Sequence, residues 1–584
     1  LGTTNSAVSI ASLMDDGELK PKALEIKQVD DNGSYFDYRT TLPSNLYVDD
    51  NGSSYVGLFA RSMLEIDPNR VFSEVKRDIG KDVSWKIGDK EYRPEEISSY
   101  YLNVLKNQVE EYYGDEINGA VITVPANFDF QQDNATRKAA ELAGFKKEEI
   151  FTIPEPTAAL IDFINEERRK DHTSRRINLK DGSKKVMVFD LGGGTCDVSI
   201  MEIDEGIEGK LDIQELSISQ YTELGGIDFD KIVAEEFLLD EYLNNKGLSI
   251  DELTARLNEL GEKKIYQFFK NLCKLAEKFR LKFSIDIDRE ERNNGYDYLT
   301  DPEKFDDYSV SRLFNFSGLP EELQYTFTVK KKDYDYNIRS LLYEEYADSN
   351  NNIEFPIRNA LKQAAGNLSV EDIDYVFLVG GMSNYQTIQK RIYDIFGTRP
   401  LKSINPNLSI SRGAAVYHYY YDKIKISNYE EIDDKEIESE DFEFRPMVPE
   451  NVYLELYNGD AIPLLEKGIR APHSHLIKNK VAVGHDGPVN GMEIQLFVGE
   501  SENAMYVKRI KPVVLNFKHP VKEETPVTLK VEFDIDRQVN VKAWLANDMS
   551  QVIDVNIGAR NFSEEEIAKL KESHKRINQL HREG

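Results

Sequence analysis

Apolar residues along the first 425 positions follow two rhythms. Short continuous runs such as Ala120-Val121-Ile122-Thr123-Val124 and Tyr375-Val376-Phe377-Leu378-Val379 read as buried strands. They alternate with stretches of helical period, of which about Asp133 to Leu142 is one. Such alternation predicts an α/β architecture. The run Val186-Met187-Val188-Phe189-Asp190 leads through a glycine-rich turn into Val198-Ser199-Ile200-Met201. Strand, tight turn and strand predict a β-hairpin, so the sheets are expected to be mixed rather than purely parallel. From about Ile250 to Ser284 the pattern predicts two helices, and the polar stretch 285–335 predicts an exposed insertion or small subdomain.

The pattern changes after position 425. Residues 429–444 are dominated by acids (Glu430, Glu431, Asp433, Asp434, Glu436, Glu438, Glu440, Asp441, Glu443), a self-repelling run that predicts an extended linker. Beyond it, alternating runs such as Val452-Tyr453-Leu454-Glu455-Leu456 and Val527-Thr528-Leu529-Lys530-Val531-Glu532-Phe533 predict an all-β unit. Ser563-Glu564-Glu565-Glu566 then starts a capped helix running to about His581, too short to cover much. The expected divisions are 1–425, a linker over 426–447, a β-sandwich over 448–558 and a helical segment over 559–584.

A chain of 584 residues is long enough for several domains, and 40% hydrophobic residues suffice for ordinary cores. A net charge of −31 argues against a nucleic-acid partner held by phosphate contacts and leaves basic partners open. No stretch approaches the roughly 18 apolar residues of a membrane span. Two cysteines, Cys196 and Cys273, without metal-ligand spacing suit a reducing cytoplasm and read equally as two thiols of no special role. The sequence opens at Leu1, directly inside a motif, which predicts that a first strand precedes it.

Five motifs carry candidate chemistry. Gly2-Thr3-Thr4-Asn5 and Gly192-Gly193-Gly194-Thr195 are glycine turns beside threonine, able to bring amides and a hydroxyl against a polyphosphate. Gly225-Gly226-Ile227-Asp228 opens a helix whose amides face an anion. Val379-Gly380-Gly381-Met382-Ser383 follows a strand and opens a helix, where a purine could lie against backbone. Glu155-Pro156-Thr157 opens another, placing a carboxylate where it can hold a metal-bound water or orient an attacking one. Each motif alone also reads as a turn with a capped helix; all five in this order do not.

In order and wording these motifs resemble the seventy-kilodalton heat-shock chaperone family (DnaK-type), within the actin and sugar-kinase ATPase fold. The resemblance covers nearly the whole chain, and Phe533-Asp534-Ile535-Asp536 is similar to that family's β-sandwich peptide-binding domain. It implies a multidomain chain: an actin-like (ribonuclease H-like) α/β ATPase domain, an all-β sandwich and a short C-terminal helix. It implies ATP and Mg²⁺, slow hydrolysis, and binding of extended apolar segments of unfolded proteins. Carried over position by position, Thr3, Thr4, Asn5 and Gly192 to Thr195 cradle phosphates. Lys76 steadies the attacking water, and Glu155, Asp190 and Asp197 hold Mg²⁺ through waters or position the nucleophile. Glu277, Arg280, Ser284, Gly380, Gly381 and Ser383 line the adenosine site, and Pro125 relays nucleotide state. The turn at Tyr457 and the strand through Met492 and Ile494 grip the peptide, although Met492 and Ile494 read equally as sandwich core.

Four departures qualify these implications. Asn384 stands where the family has an arginine flanking adenine. The acidic linker offers only Ile432 and Ile437, so docking it on the ATPase domain would strip water from many charges. Phe151-Thr152-Ile153-Pro154 replaces the basic and amide residues that the family offers to J-domain co-chaperones, leaving those and exchange factors in question. A lid of the family's usual length is unmatched, which predicts fast peptide exchange. The alternative to a coupled chaperone is a nucleotide-binding regulator or holdase; a sugar kinase has no place for the β-domain.

Overall fold

Short strands and long helices alternate through the first 429 residues, as the apolar runs require. The structure is a computed structural model, described over residues 1–582 except 16, 34, 180, 207–209, 221, 262, 404, 430–441, 456–460, 484–488, 500–507, 510–512, 547 and 557–561. In the first lobe β1 (Ser9–Leu13) pairs antiparallel with β2 (Leu19–Ala23). Helix α1 (Pro94–Tyr113) begins at a proline, whose missing N–H is no loss in a first turn, and stops at Gly114 with φ 72°. Strands β3 (Ala120–Val124) and β4 (Ile150–Pro154) are parallel, Ala120 opposite Ile150. Between them α2 (Phe130–Leu142) starts at a capping box of Asp129 and Gln132, three residues before the expected position.

Helix α3 (Glu155–Arg168) carries the chain out of this lobe into a six-stranded mixed sheet. That sheet holds β5 (Lys184–Leu191), β6 (Cys196–Glu205) and β7 (Leu211–Ile218), all antiparallel neighbours. Helices α4 (Gly226–Ile232) and α5 (Lys264–Asn294) follow, then the hairpin β8 (Ser309–Phe314) and β9 (Tyr325–Lys330). Strand β10 (Tyr375–Val379), helix α6 (Gln386–Phe396), strand β11 (Leu401–Lys402) and helix α7 (Ser409–Tyr429) complete the lobe. Region 285–335 corrects the expected irregular insertion. Helix α5 runs on through Asn294, and Val310, Phe314, Phe327 and Val329 of the hairpin are buried in the main core. Alternating apolar residues inside a polar stretch were enough to seat it.

The linker expectation is corrected more sharply. Residues 430–441 lie outside the described part, but β12 (Phe442–Arg445) adds a sixth strand to the sheet, parallel to β7 with Phe442 opposite Leu211. Phe442 and Phe444 are buried against Tyr417 and Tyr420 of α7. Burying two phenylalanines is worth about 1.5–3 kcal/mol each, and Glu443 between them faces Lys210 and Arg445 instead of losing its charge partners. Alternation puts the rings inward and the acid outward, so this end of the acidic run docks.

The last unit is two antiparallel sheets face to face. One pairs β13 (Asn451–Glu455) with β14 (Ala461–Leu465) and with the long β16 (Val489–Gly499), preceded in sequence by β15 (His473–Ala482) of the other sheet. Strand β17 (Val513–Val521) also pairs with β16. The second sheet runs β15, β18 (Pro526–Phe533), β19 (Val539–Leu545), β20 (Asp548–Asn556). Leu454, Leu496, Leu529, Val531 and Val541 fill the space between them. Helix α8 (Glu564–Arg582) begins where Ser563 and Glu566 cap each other reciprocally. It covers more than its length suggests: Leu570 and Ile577 join a core with Ile97, Tyr100 and Tyr101 of the first lobe.

Candidate nucleotide site

Four loops meet at the cleft between the lobes. The hairpin turn Gly192–Thr195 is closed by the Gly192 amide donating to the Thr195 carbonyl at 3.0 Å. The amides of Gly226 and Ile227 at the start of α4 donate to the carbonyls of Gly192 and Gly193, both at 3.0 Å. These contacts leave no room for side chains. A Cβ on Gly193 would collide with the Thr4 hydroxyl, and one on Gly225 with the backbone of Gly193 and Gly194. Gly380 is held at φ 82°, and a Cβ there would lie 2.6 Å from Asp190 Oδ1. Thr3, Thr4, Gly2 and Asn5 from one lobe and Gly192 to Thr195, Gly225 and Gly380 from the other are thereby brought to one place.

Asp190, next to last in β5, and Asp197, second in β6, lie directly opposite each other in the ladder. Both are buried, as is Glu155 at the N-terminus of α3. Lys76, in the single turn Val75–Asp78, reaches Glu155 with its ammonium, and both are nearly enclosed. Burial, then the charges of Glu155 and Asp197, push the Asp190 carboxyl well above its ordinary range, with Lys76 opposing. Asp197 is pushed up to about 7 by burial and Glu155, against Lys76 and hydrogen bonds from Asn127 and Thr195. Three acids thus share one ammonium.

Such a site fits a magnesium nucleotide. Extra negative charge is concentrated where a cation would relieve it, and the buried Oδ2 of Asp197 has no hydrogen-bond partner. Among the described residues no group of three or more His, Cys, Asp or Glu is placed to hold a metal directly. The fit is therefore to an ion that keeps its own waters, with the carboxylates accepting from them.

Several expected residues are engaged elsewhere. Asp228 accepts from the Gly225 amide at 2.7 Å and pairs with Arg77 at 3.2 Å, so its carboxylate caps α4. Arg280 is gripped by Asp230 through Nε at 2.8 Å and Nη2 at 2.7 Å. Ser383 donates to the Gly380 carbonyl at 2.7 Å, fixing the loop from within. Gly381 begins a short 3-10 turn to Asn384, and α6 opens only at Gln386. Ser284 is buried on α5, and Glu277, seven residues before it, is exposed. Arg77 was missed by sequence reasoning: from the first lobe it donates to the Gly194 carbonyl at 2.8 Å, across the cleft. Its place beside Lys76 was the available signal. Asn127 was missed too; its amide donates to Asp197.

On the β-sandwich, Tyr457 lies outside the described residues, as does the side chain of Ile494, whose backbone is in β16. Met492 is partly buried and packs against the sandwich core.

The fold and site define a two-lobed nucleotide-dependent ATPase joined through a strand to a β-sandwich. The family model described as "Hsp70 protein" matches residues 83–289 and 319–583. "Chaperone protein DnaK" of Thermosipho melanesiensis is 30% identical over 579 residues, covering 99% of this chain and 82% of its own. The protein of the same description from Thermotoga petrophila is 30% identical over 586 residues, with the same coverage of each chain. The chain belongs to the Hsp70 family. An actin-like ATPase domain followed by a β-sandwich is the architecture of that family, and ATP-dependent chaperone action with ATP hydrolysis is its activity. Among the described residues no helix is long and apolar enough to cross a membrane.

Proposed function

We propose that this chain hydrolyses ATP with Lys76 and Glu155 orienting the attacking water between two phosphate-holding loops. The observation that carries this is the Lys76–Glu155 pair, enclosed beside Asp190 and Asp197 where those loops converge. Amides of Gly192 to Gly194 and the hydroxyls of Thr3, Thr4 and Thr195 hold the phosphates from both lobes. Asp190, Asp197 and Glu155 would hold Mg²⁺ through its waters, and the bound ion would supply charge neutralisation to the leaving phosphates. With positioning and electrostatics doing the chemistry, no covalent intermediate on the protein is required.

Coupling to clients follows from the seams between units. β12 and the loop Asp534–Gln538 seat the sandwich on the ATPase lobes, so nucleotide state can bias how firmly the sandwich is held. Tyr457, Met492 and Ile494 then grip an extended apolar segment by backbone pairing and a pocket. Client polypeptides and co-chaperones are the partners of this reading, a reducing cytoplasm its compartment, and 1–425, 426–447, 448–558 and 559–584 its units. The deciding experiment is Thr195→Ala: turnover should fall on the order of 100-fold, with ADP affinity within a few-fold. Equal turnover in variant and parent would remove the assignment.

A further inference from the structure

Behind the adenosine end of the cleft lies a buried polar cluster with no part in the chemistry above. Lys331 is 1% exposed, and its ammonium has three hydrogens and three acceptors: Tyr298 Oη at 3.0 Å, Thr387 Oγ1 at 2.6 Å and the Asp335 carboxylate. Asp335 accepts in turn from Tyr385 Oη at 2.6 Å and from Thr387 at 3.1 Å. The ammonium also lies 4.9 Å from the centre of the Tyr385 ring. A buried charge so fully partnered fixes the groups around it.

What it fixes is the loop assigned to the base. Tyr385 and Thr387 flank Gln386, immediately after Gly380–Asn384. Gln386 donates to the Ser284 carbonyl at 3.1 Å and to Asp288 Oδ1 at 2.6 Å, tying the loop to α5. Gln389 donates back to the Ser383 carbonyl at 2.8 Å. The helix Lys331–Asn337 also sends Tyr334 Oη to Asp230 at 3.3 Å, the residue gripping Arg280. One short helix therefore braces both walls, the 380–384 loop and the Arg280–Ser284 face of α5.

We propose that Lys331, through Asp335, Thr387 and Tyr385, is a positioning residue for the adenosine end of the nucleotide site. The inference rests on the nucleotide-site reading above and adds a determinant of base affinity distant from the phosphates. Misplacing binding groups by about an ångström can lower function about 100-fold. A partial loosening is therefore expected to weaken adenine-nucleotide binding roughly 10-fold without touching the chemical step.

The test measures binding of ADP and of adenosine, and turnover at saturating ATP, in the full chain. At nearly constant shape, Tyr385→Phe removes the hydrogen bond to Asp335, and Thr387→Val removes those with Lys331 and Asp335. Both should raise the Kd of ADP and of adenosine by the same several-fold factor with kcat unchanged. Lys331→Met should do so more strongly, and Lys331→Arg should recover part of the loss. Should Lys331→Met fail to fold, the two milder variants still decide. Parent-like Kd values in folded variants, or a fall in kcat with no change in Kd, would overturn the proposal. A parent that binds neither ADP nor adenosine would overturn the nucleotide-site reading itself.

Discussion

Arg537 of the β-sandwich donates to the carbonyl of Ala126 in the first lobe at 3.2 Å, and to that of Phe128 at 3.4 Å. The residue between those carbonyls is Asn127, whose amide holds Asp197. Arg137 returns the contact, donating to the Asp536 carbonyl at 2.6 Å. One residue thus separates the seam between units from the buried carboxylates Asp197 and Asp190.

Arg537→Ala should loosen the seam, leaving two buried carbonyls short of a donor at about 1–3 kcal/mol. Release of a fluorescent apolar peptide should then lose most of its acceleration by ATP, while ATP binding stays near parent. A variant that keeps the full ATP effect would show that Arg537 is not part of the coupling.

Lys76→Ala removes the cation shared by three acids. Turnover should drop about 100-fold or more, in line with losing one preorganised charge-stabilising donor. Single-turnover hydrolysis checks this directly, and a variant within threefold of parent would exclude Lys76 from the chemistry.

His574 makes the docking of α8 pH-dependent. It is buried between Ser99, at 3.1 Å, and the Tyr100 ring, edge to face at 4.8 Å. The Ser99 hydroxyl proton goes to the Glu96 carbonyl at 2.6 Å, so Ser99 accepts from Nε2–H of a neutral imidazole. Burial, then nearby Lys90, lowers its pKa from 6.5 to about 3. A lowered base favours docking in full above pH 6.5; docking weakens up to about tenfold per pH unit below it, until about pH 3. Deuterium uptake by α8 should rise accordingly on acidification, and His574→Phe should flatten that dependence.

Asp162 gives the opposite sign. It is fully buried where α3 crosses α7, 3.1 Å from Arg412, which also pairs with Glu166. Burial, reinforced by Glu166 and opposed by Arg412, raises its pKa from 3.8 to about 8. The folded protein therefore holds an extra proton between those values, and stability falls as pH rises through the window. Asp162→Asn mimics the protonated acid, so melting near pH 8 should move up by a few degrees, with the gain shrinking toward pH 4. No gain at pH 8 would mean that the Asp162 carboxyl titrates in the fold within the ordinary carboxylate range.

The glycine turns, Glu155, Asp190 and Asp197 stood out in sequence as local patterns, whereas Lys76 stood out only through the family resemblance. Which residues of a hairpin face each other is set by its register, and here that register puts Asp190 opposite Asp197. Sandwich strands were legible for a similar reason, since period-two alternation is local. Arg77, Asn127 and Lys331 were not, because their meaning depends on partners 117, 70 and 56 residues away along the chain. Arg280 and Asp228 show the same limit: their types suggested a binding role, while their partners Asp230 and Arg77 came into view only in the fold. Net charge described residues 429–444 correctly as a run, yet Phe442 and Phe444 docked. Burial is decided residue by residue against a particular sheet edge, and β7, more than 200 residues earlier in the chain, supplies that edge. Local pattern determined the elements and the glycine turns by itself; which side chains meet across the cleft and the seam belonged to tertiary structure, because hydrogen bonds and burial act on distance in space rather than along the chain.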